Sequence, residues 1–159
     1  DLVRSRGLGD VYKRQQQALA VLEDVQPPEK ALEMRGLVAG NKATCFLAAG
    51  EMDRAQTAMD ELRRIAADRS CKKEFVQKAR HTLGYLQLCM DIARGRHADV
   101  GALQKDFESS RAPLHRLDVQ YRIALALRHR GDRTGMEKSR EYLLENSGGT
   151  CYGELARAL

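Results

Sequence analysis

The stretch "NKATCFLAAGEMDRAQTAMDEL", Asn41–Leu62, decides how this chain folds. Apolar residues recur at helical spacing on both sides of Gly50, and the two-residue alternation of a strand is missing. Ala43 and Phe46 precede the glycine; Ala55, Ala58, Met59 and Leu62 come after it, and Ile65 extends the stripe. A glycine between two segments in helical phase predicts a helix, a tight glycine turn and a second helix.

The same grammar runs outward in both directions. Upstream, "QQQALAVLEDVQPP" carries Ala18, Leu19, Leu22 and Val25 at helical spacing and stops at Pro27 and Pro28. The helix entering Gly50 begins near Glu29, with Leu32, Ala39, Ala43 and Phe46 on one face and Gly36 and Gly40 inside it. A glycine within a helix costs about 1 kcal/mol against alanine, so these two predict close helix packing. Downstream, Ser70 is an N-cap candidate for a long helix ending near Gly95. A shorter helix comes next with Val100, Leu103 and Phe107 in phase. Pro113 suits the first turn of another, which stops at Gly131. A further helix ends on Gly148 and Gly149, and Thr150 is placed to cap a last one, "CYGELARAL".

Composition agrees. The chain has 159 residues, 43% hydrophobic and 31% charged, with three prolines and no tryptophan. Alanine, leucine and the long charged residues dominate, and β-branched residues are sparse, which favours helix. No run of 18 apolar residues is present, as a membrane span would need, and no secretory signal pattern opens the chain. Cys45, Cys71, Cys89 and Cys151 have neither C-x-x-C spacing nor a histidine pair at i,i+4, so no metal site is expected. Reduced thiols in the cytoplasm are the simplest expectation.

Three turns share one form: "AAGEMDRA", "ARGRHADV" and "HRGDRTGM". Each has a glycine with a small or apolar residue five positions later: Ala55, Val100 and Met136. With Ala18 as the mark of an earlier half-unit, the intervals are 37, 45 and 36 residues, a period typical of helical-hairpin arrays. The expected fold is all-α, a right-handed α-solenoid of antiparallel helix hairpins with about seven to eight helices. A non-repetitive helical bundle is the alternative.

The chain resembles the tetratricopeptide repeat family. Ala43, Phe46, Gly50, Ala55 and Met59 match its small residue, aromatic, turn glycine, alanine and bulky apolar positions. Ile123, Ala124, Leu127, Gly131 and Leu143 match in a third unit, which departs at Met136 and Arg140. The second unit is the weakest, with Leu88, Gly95, Val100 and Phe107 but Asp91 at the aromatic position. The domain expected is 16–159: a half-unit at 16–27, units at about 29–68, 72–109 and 112–146, and a capping helix at 150–159. Leu155 and Leu159 share a face with Tyr152 and are placed to cover the third unit.

The resemblance implies that the first helix of each pair lines a concave groove. Its positions are Leu37, Gly40, Thr44 and Leu47; then Thr82, Tyr85, Cys89 and Ile92; then Asp118, Tyr121, Leu125 and Arg128. It also implies a scaffold that binds a peptide or helix of another protein, without catalysis or cofactor. Arg128 or His129 would meet an acidic group. Tyr85 and Tyr121 occupy equivalent places; they either contact a partner or pack between hairpins. The lysine and asparagine clamp that some relatives use for a carboxylate is replaced by Gly40, Thr44, Tyr85, Cys89, Tyr121 and Leu125. A co-chaperone of that kind is therefore not expected.

The net charge of +5 is a weak sign of a polyanionic partner. "RGRH" and "RHRGDR" are the densest basic spots, on turns between helices. They suit either helix C-termini that favour cations or a phosphate or nucleic-acid contact, which is the alternative function. His81, His97, His115 and His129 form no constellation with a nucleophile, and no G-x-S-x-G is present.

"DLVRSRGLGDVYKRQ", residues 1–15, holds only G-x-G of a nucleotide fingerprint and has Tyr12 where the third glycine belongs. It resembles translated sequencing-adapter DNA, a non-native extension on a metagenomic fragment. Two of the five net charges leave with it. Bacterial proteins of this appearance often carry the repeats as a cytosolic tail behind a membrane segment, which is a third possibility.

Overall fold

A computed structural model of the chain describes Lys13, residues 16–28 and residues 31–159. Apart from Lys13, the expected extension at 1–15 lies outside the described residues. These form eight helices and no strand. In chain order, α1 covers residues 16–24, and after it come α2 (Leu32–Ala48), α3 (Met52–Ala66), α4 (Lys73–Ala93) and α5 (Val100–Ser109). The last three are α6 (Pro113–His129), α7 (Arg133–Asn146) and α8 (Cys151–Ala158). No described helix is long and apolar enough to cross a membrane.

The three turns are built alike. Gly50, Gly95 and Gly131 sit at φ of 77°, 67° and 76°, a region that side chains disfavour. In each, the amide after the glycine reaches back over one helical turn: Glu51 to the Phe46 carbonyl at 2.8 Å, Arg96 to Asp91 at 2.8 Å, Asp132 to Leu127 at 3.0 Å. The glycine amide bonds the next carbonyl along, from Leu47 (3.2 Å), Ile92 (2.9 Å) and Arg128 (3.0 Å). This is the Schellman arrangement, which satisfies carbonyls that the helix end would otherwise orphan.

The Gly95 turn leads into its second helix differently from the other two. Glu51 and Asp132 cap the next helix directly after the glycine, whereas Arg96, His97 and Ala98 stand between Gly95 and the N-cap Asp99. The mark five residues after the glycine therefore does not keep its structural register. Ala55 and Met136 are fourth residues of their helices, but Val100 is the first of α5. Leu103, fully buried, takes the place equivalent to Ala55.

The helices form two compact units, one of Tyr12–Met90 and one containing Asp91–Leu159, so the division falls inside α4. In the first, α3 folds back along α2: a methyl on Gly36 would meet Ile65, and one on Gly40 would meet Leu62. Ala55, Ala58, Met59, Leu62 and Ile65 are all buried, the whole stripe read from the sequence. Ala43, Phe46 and Leu47 from α2, Leu19 from α1, and Leu86, Cys89 and Met90 from α4 close one cluster around Met59. Ala39, Phe75 and Ala79 close another around Leu62 and Ile65. α1 is shorter than expected. It ends at residue 24, where an approaching proline disfavours helix, so only Leu19 is buried and Val25 is exposed.

In the second unit α5, α6, α7 and α8 pack on their neighbours in sequence. Arg116 locks α5 to α6: its guanidinium donates to the carbonyls of Phe107 (2.7 Å) and Ser110 (3.2 Å) and lies 3.9 Å over the Phe107 ring. Pro113 opens α6 as expected. α8 covers α6 and α7 through Tyr152, Ala156 and Leu159, with Ala156 fully buried; Leu155 is only half-buried.

Two caps differ from the sequence expectation. Ser70 does not cap α4; its amide and hydroxyl both donate to Asp68, at 2.8 and 2.6 Å, forming a turn. Thr150 takes the N-cap position of α8, but its side chain makes no cap bond and its buried hydroxyl oxygen has no partner.

Candidate functional site

The expected groove positions separate into three groups. Leu47 and Cys89 are core residues, not groove lining. Counting back from the turn glycine places a residue along the helix, but its orientation is decided by what α1 and α3 cover. Tyr85 is half-buried against the same cluster as Cys89, so it packs between helices. Tyr121 behaves alike in the other unit: it packs against Leu117, Leu143 and Ala156, with the Tyr152 ring 6.4 Å away, edge on.

Asp118 is drawn into the same arrangement. Its carboxylate accepts the Tyr152 hydroxyl at 3.0 Å and lies 3.4 Å from the Arg122 guanidinium. Burial first, then the Asp118 charge, pushes the Tyr152 phenol far above its ordinary value. Burial likewise raises that of Tyr121. The face of α6 expected to be open is thus covered by α8 at Asp118 and Tyr121. Leu125 is half-buried, and Arg128 and His129 lie exposed at the helix end.

Leu37, Thr44 and Thr82 do come together. They line a cleft of about 100 Å³ between α2 and α4, with Gly40 and Leu62 beneath and Lys78 at its edge. Leu37 is 60% exposed, and Met34, one turn earlier, is 54% exposed. The sequence missed Asn41, Phe75, Lys78 and Ala79 as lining. The i,i+4 glycine pair Gly36 and Gly40 was the available signal for an approach of α4 to α2.

The two glycines serve different ends. A methyl on Gly36 would lie 2.5 Å from the Phe75 ring, so its absence lets α4 approach. A methyl on Gly40 would meet Leu62 at 3.5 Å and Thr82 at 3.8 Å, ordinary contacts that alanine tolerates. Alanine there would favour the helix by about 1 kcal/mol. The glycine leaves the cleft floor open at that cost.

Chemically the cleft is spare. Its lining holds one cation, Lys78, which pairs with Glu74 at 2.9 Å, and no carboxylate, cysteine or histidine. Among the described residues no three metal-ligating side chains cluster. Burial raises the thiols of Cys45 and Cys71, away from the thiolate that nucleophilic chemistry uses. His115 meets Asp106 at 2.9 Å, joining the start of α6 to the end of α5. Pockets for cofactors or drug-sized ligands run to about 300–1,000 Å³; this cleft has the scale of a side chain.

Taken together these features define an all-helical chain of glycine-turn helix pairs with a small apolar cleft on its first long helix. Comparisons with models of known families, with curated proteins and with solved structures give no match.

Proposed function

We propose that this chain is a right-handed α-solenoid of the tetratricopeptide repeat kind, acting in the cytoplasm as a protein–protein interaction scaffold. It binds a peptide or helix of a partner and performs no chemistry of its own. The observation that carries this reading is the open cleft floor at Gly40 beside the exposed Leu37. An exposed leucine flanking a small apolar slot suits the anchor side chain of an amphipathic helix. Repetition of one turn geometry at Gly50, Gly95 and Gly131 supports the solenoid part of the proposal.

Panning a displayed library of amphipathic helices on the whole chain tests it. Binders with an apolar anchor are expected, and Leu37→Glu should weaken them about tenfold, as a charge set against apolar contact does. The melting temperature should hardly move, because Leu37 is mostly exposed. Recovery of no binders, or of binders indifferent to Leu37→Glu and Gly40→Ala, would remove the cleft from consideration.

A further inference from the structure

The turns at Gly95 and Gly131 are brought side by side. Arg130 reaches from the end of α6 to the loop before α5, donating to the Ala98 carbonyl and meeting Nε2 of His97 at 3.1 Å. The three residues inserted after Gly95 carry the atoms that Arg130 meets, and Ala98 is buried. The two turns carry Arg94, Arg96, His97, Arg128, His129, Arg130 and Arg133, all exposed, and no lysine. The carboxylates among them are occupied. Asp91 pairs with Arg96 at 3.6 Å, while Asp99 and Asp132 accept the Ala102 and Gly135 amides as N-caps.

Helix-end electrostatics accounts for Arg128 and His129 in the last turn of α6 but not for the whole cluster. The same turn at Gly50 forms with no basic residue in the last turn of α2 and with Glu51 directly after the glycine. Arg133 is the first residue of α7, where the helix dipole disfavours a cation. A set of cations with arginine in place of lysine suits phosphate, which the guanidinium fork binds bidentately. The unit's rings Tyr121, Tyr142 and Tyr152 are packed on its core, and Phe107 is buried against Tyr142. None is placed to stack on a base. No exposed large apolar residue lies in these turns to enter a bilayer.

We infer that the paired Gly95 and Gly131 turns bind the phosphodiester backbone of a nucleic acid, independently of its sequence. The chain's modest net charge hides this, because the cations are concentrated in two turns.

Fluorescence anisotropy of the whole chain with labelled oligonucleotides tests the inference, using a mixed duplex, single-stranded dT and single-stranded dA. Contact with about four phosphates predicts a slope near −3 in the logarithm of affinity against that of salt concentration. dT and dA should bind within about twofold of each other, since no ring reads a base. The duplex and single-strand arms show which form of the backbone is preferred. Arg94→Gln/Arg128→Gln/Arg133→Gln should weaken binding at least about tenfold. Lys72→Gln/Lys73→Gln/Arg80→Gln removes the same charge elsewhere and should weaken it by no more than about twofold. Circular dichroism melts check that both variants fold. Equal loss in the two variants, or no binding of any oligonucleotide at low salt, overturns the inference. Binding to phosphatidylserine vesicles without binding to oligonucleotides overturns it in favour of a membrane surface.

Discussion

Gly36 and Gly40 stand one turn apart on the same helix and face the same neighbour, yet their substitution should have opposite signs. Alanine relieves the helix of about 1 kcal/mol of glycine cost at either place. At Gly36 the added methyl meets the Phe75 ring at 2.5 Å, and overpacking of this kind costs roughly 1–3 kcal/mol. At Gly40 it meets only ordinary contacts. Thermal melts should therefore place Gly36→Ala below and Gly40→Ala above the unsubstituted chain. A lower melting temperature for Gly40→Ala would mean that the cleft floor is already filled. Both glycines could be read as sites of close packing, but the sequence does not distinguish a glycine that admits a neighbour from one that leaves a space. That difference depends on a ring thirty-nine residues away from Gly36.

Among the elements, α8 has the most conditional attachment. It is eight residues long, comes after two glycines at positive φ, and has an N-cap side chain that makes no cap bond. Its attachment depends on Ala156 in the core with the half-buried Leu159 packed against it, on Tyr152 bonded to Asp118, and on Arg140, whose Nε donates to the Ala156 carbonyl at 3.0 Å. The last contact gives Arg140 a place in the packing: its guanidinium holds the carbonyl end of α8. Tyr152 makes the attachment sensitive to alkali. An ordinary phenol loses its proton near pH 10, whereas burial and Asp118 keep Tyr152 protonated to higher pH in the folded chain. The unfolded chain thus deprotonates first. The stabilisation is complete below about pH 10 and declines as pH rises beyond it. Tyr152→Phe should cost about 1–2 kcal/mol at neutral pH through the lost hydrogen bond. It should also flatten the fall in melting temperature between about pH 9 and 11. A variant that falls as steeply as the parent would assign the alkaline limb to other groups, with Tyr121 and Cys45 first among them.

At the scale of the whole molecule, packing in the second unit joins helices close in sequence, and α2 packs on α3 in the first. Such a chain gains stability from neighbouring pairs more than from distant ones. Hydrogen exchange should show it: Gly36→Ala should lower protection of amides in α2 and α3 while leaving those of α6 and α7 near their original values. Uniform loss throughout the chain would indicate one cooperative unit instead.

How far the residues speak for themselves varies with the question. The α3 stripe and the turn glycines could be read directly, because helical phase and a left-handed residue are local demands that local sequence must meet. Leu47, Cys89, Tyr85 and Tyr121 could not be placed. Their exposure depends on which neighbouring helix covers each face, and α1 and α8 do much of the covering. The three residues inserted after Gly95 were equally visible in the sequence. Their effect on register became clear only through Asp99 as the N-cap of α5. By itself the sequence determined the helices, their glycine turns and the apolar faces, since all three arise from backbone geometry and side-chain period within a few residues. Tertiary structure alone decided that the cleft opens at Gly40, that α8 occupies the α6 face, and that two basic turns lie side by side. Each of these depends on side chains distant in sequence meeting in space.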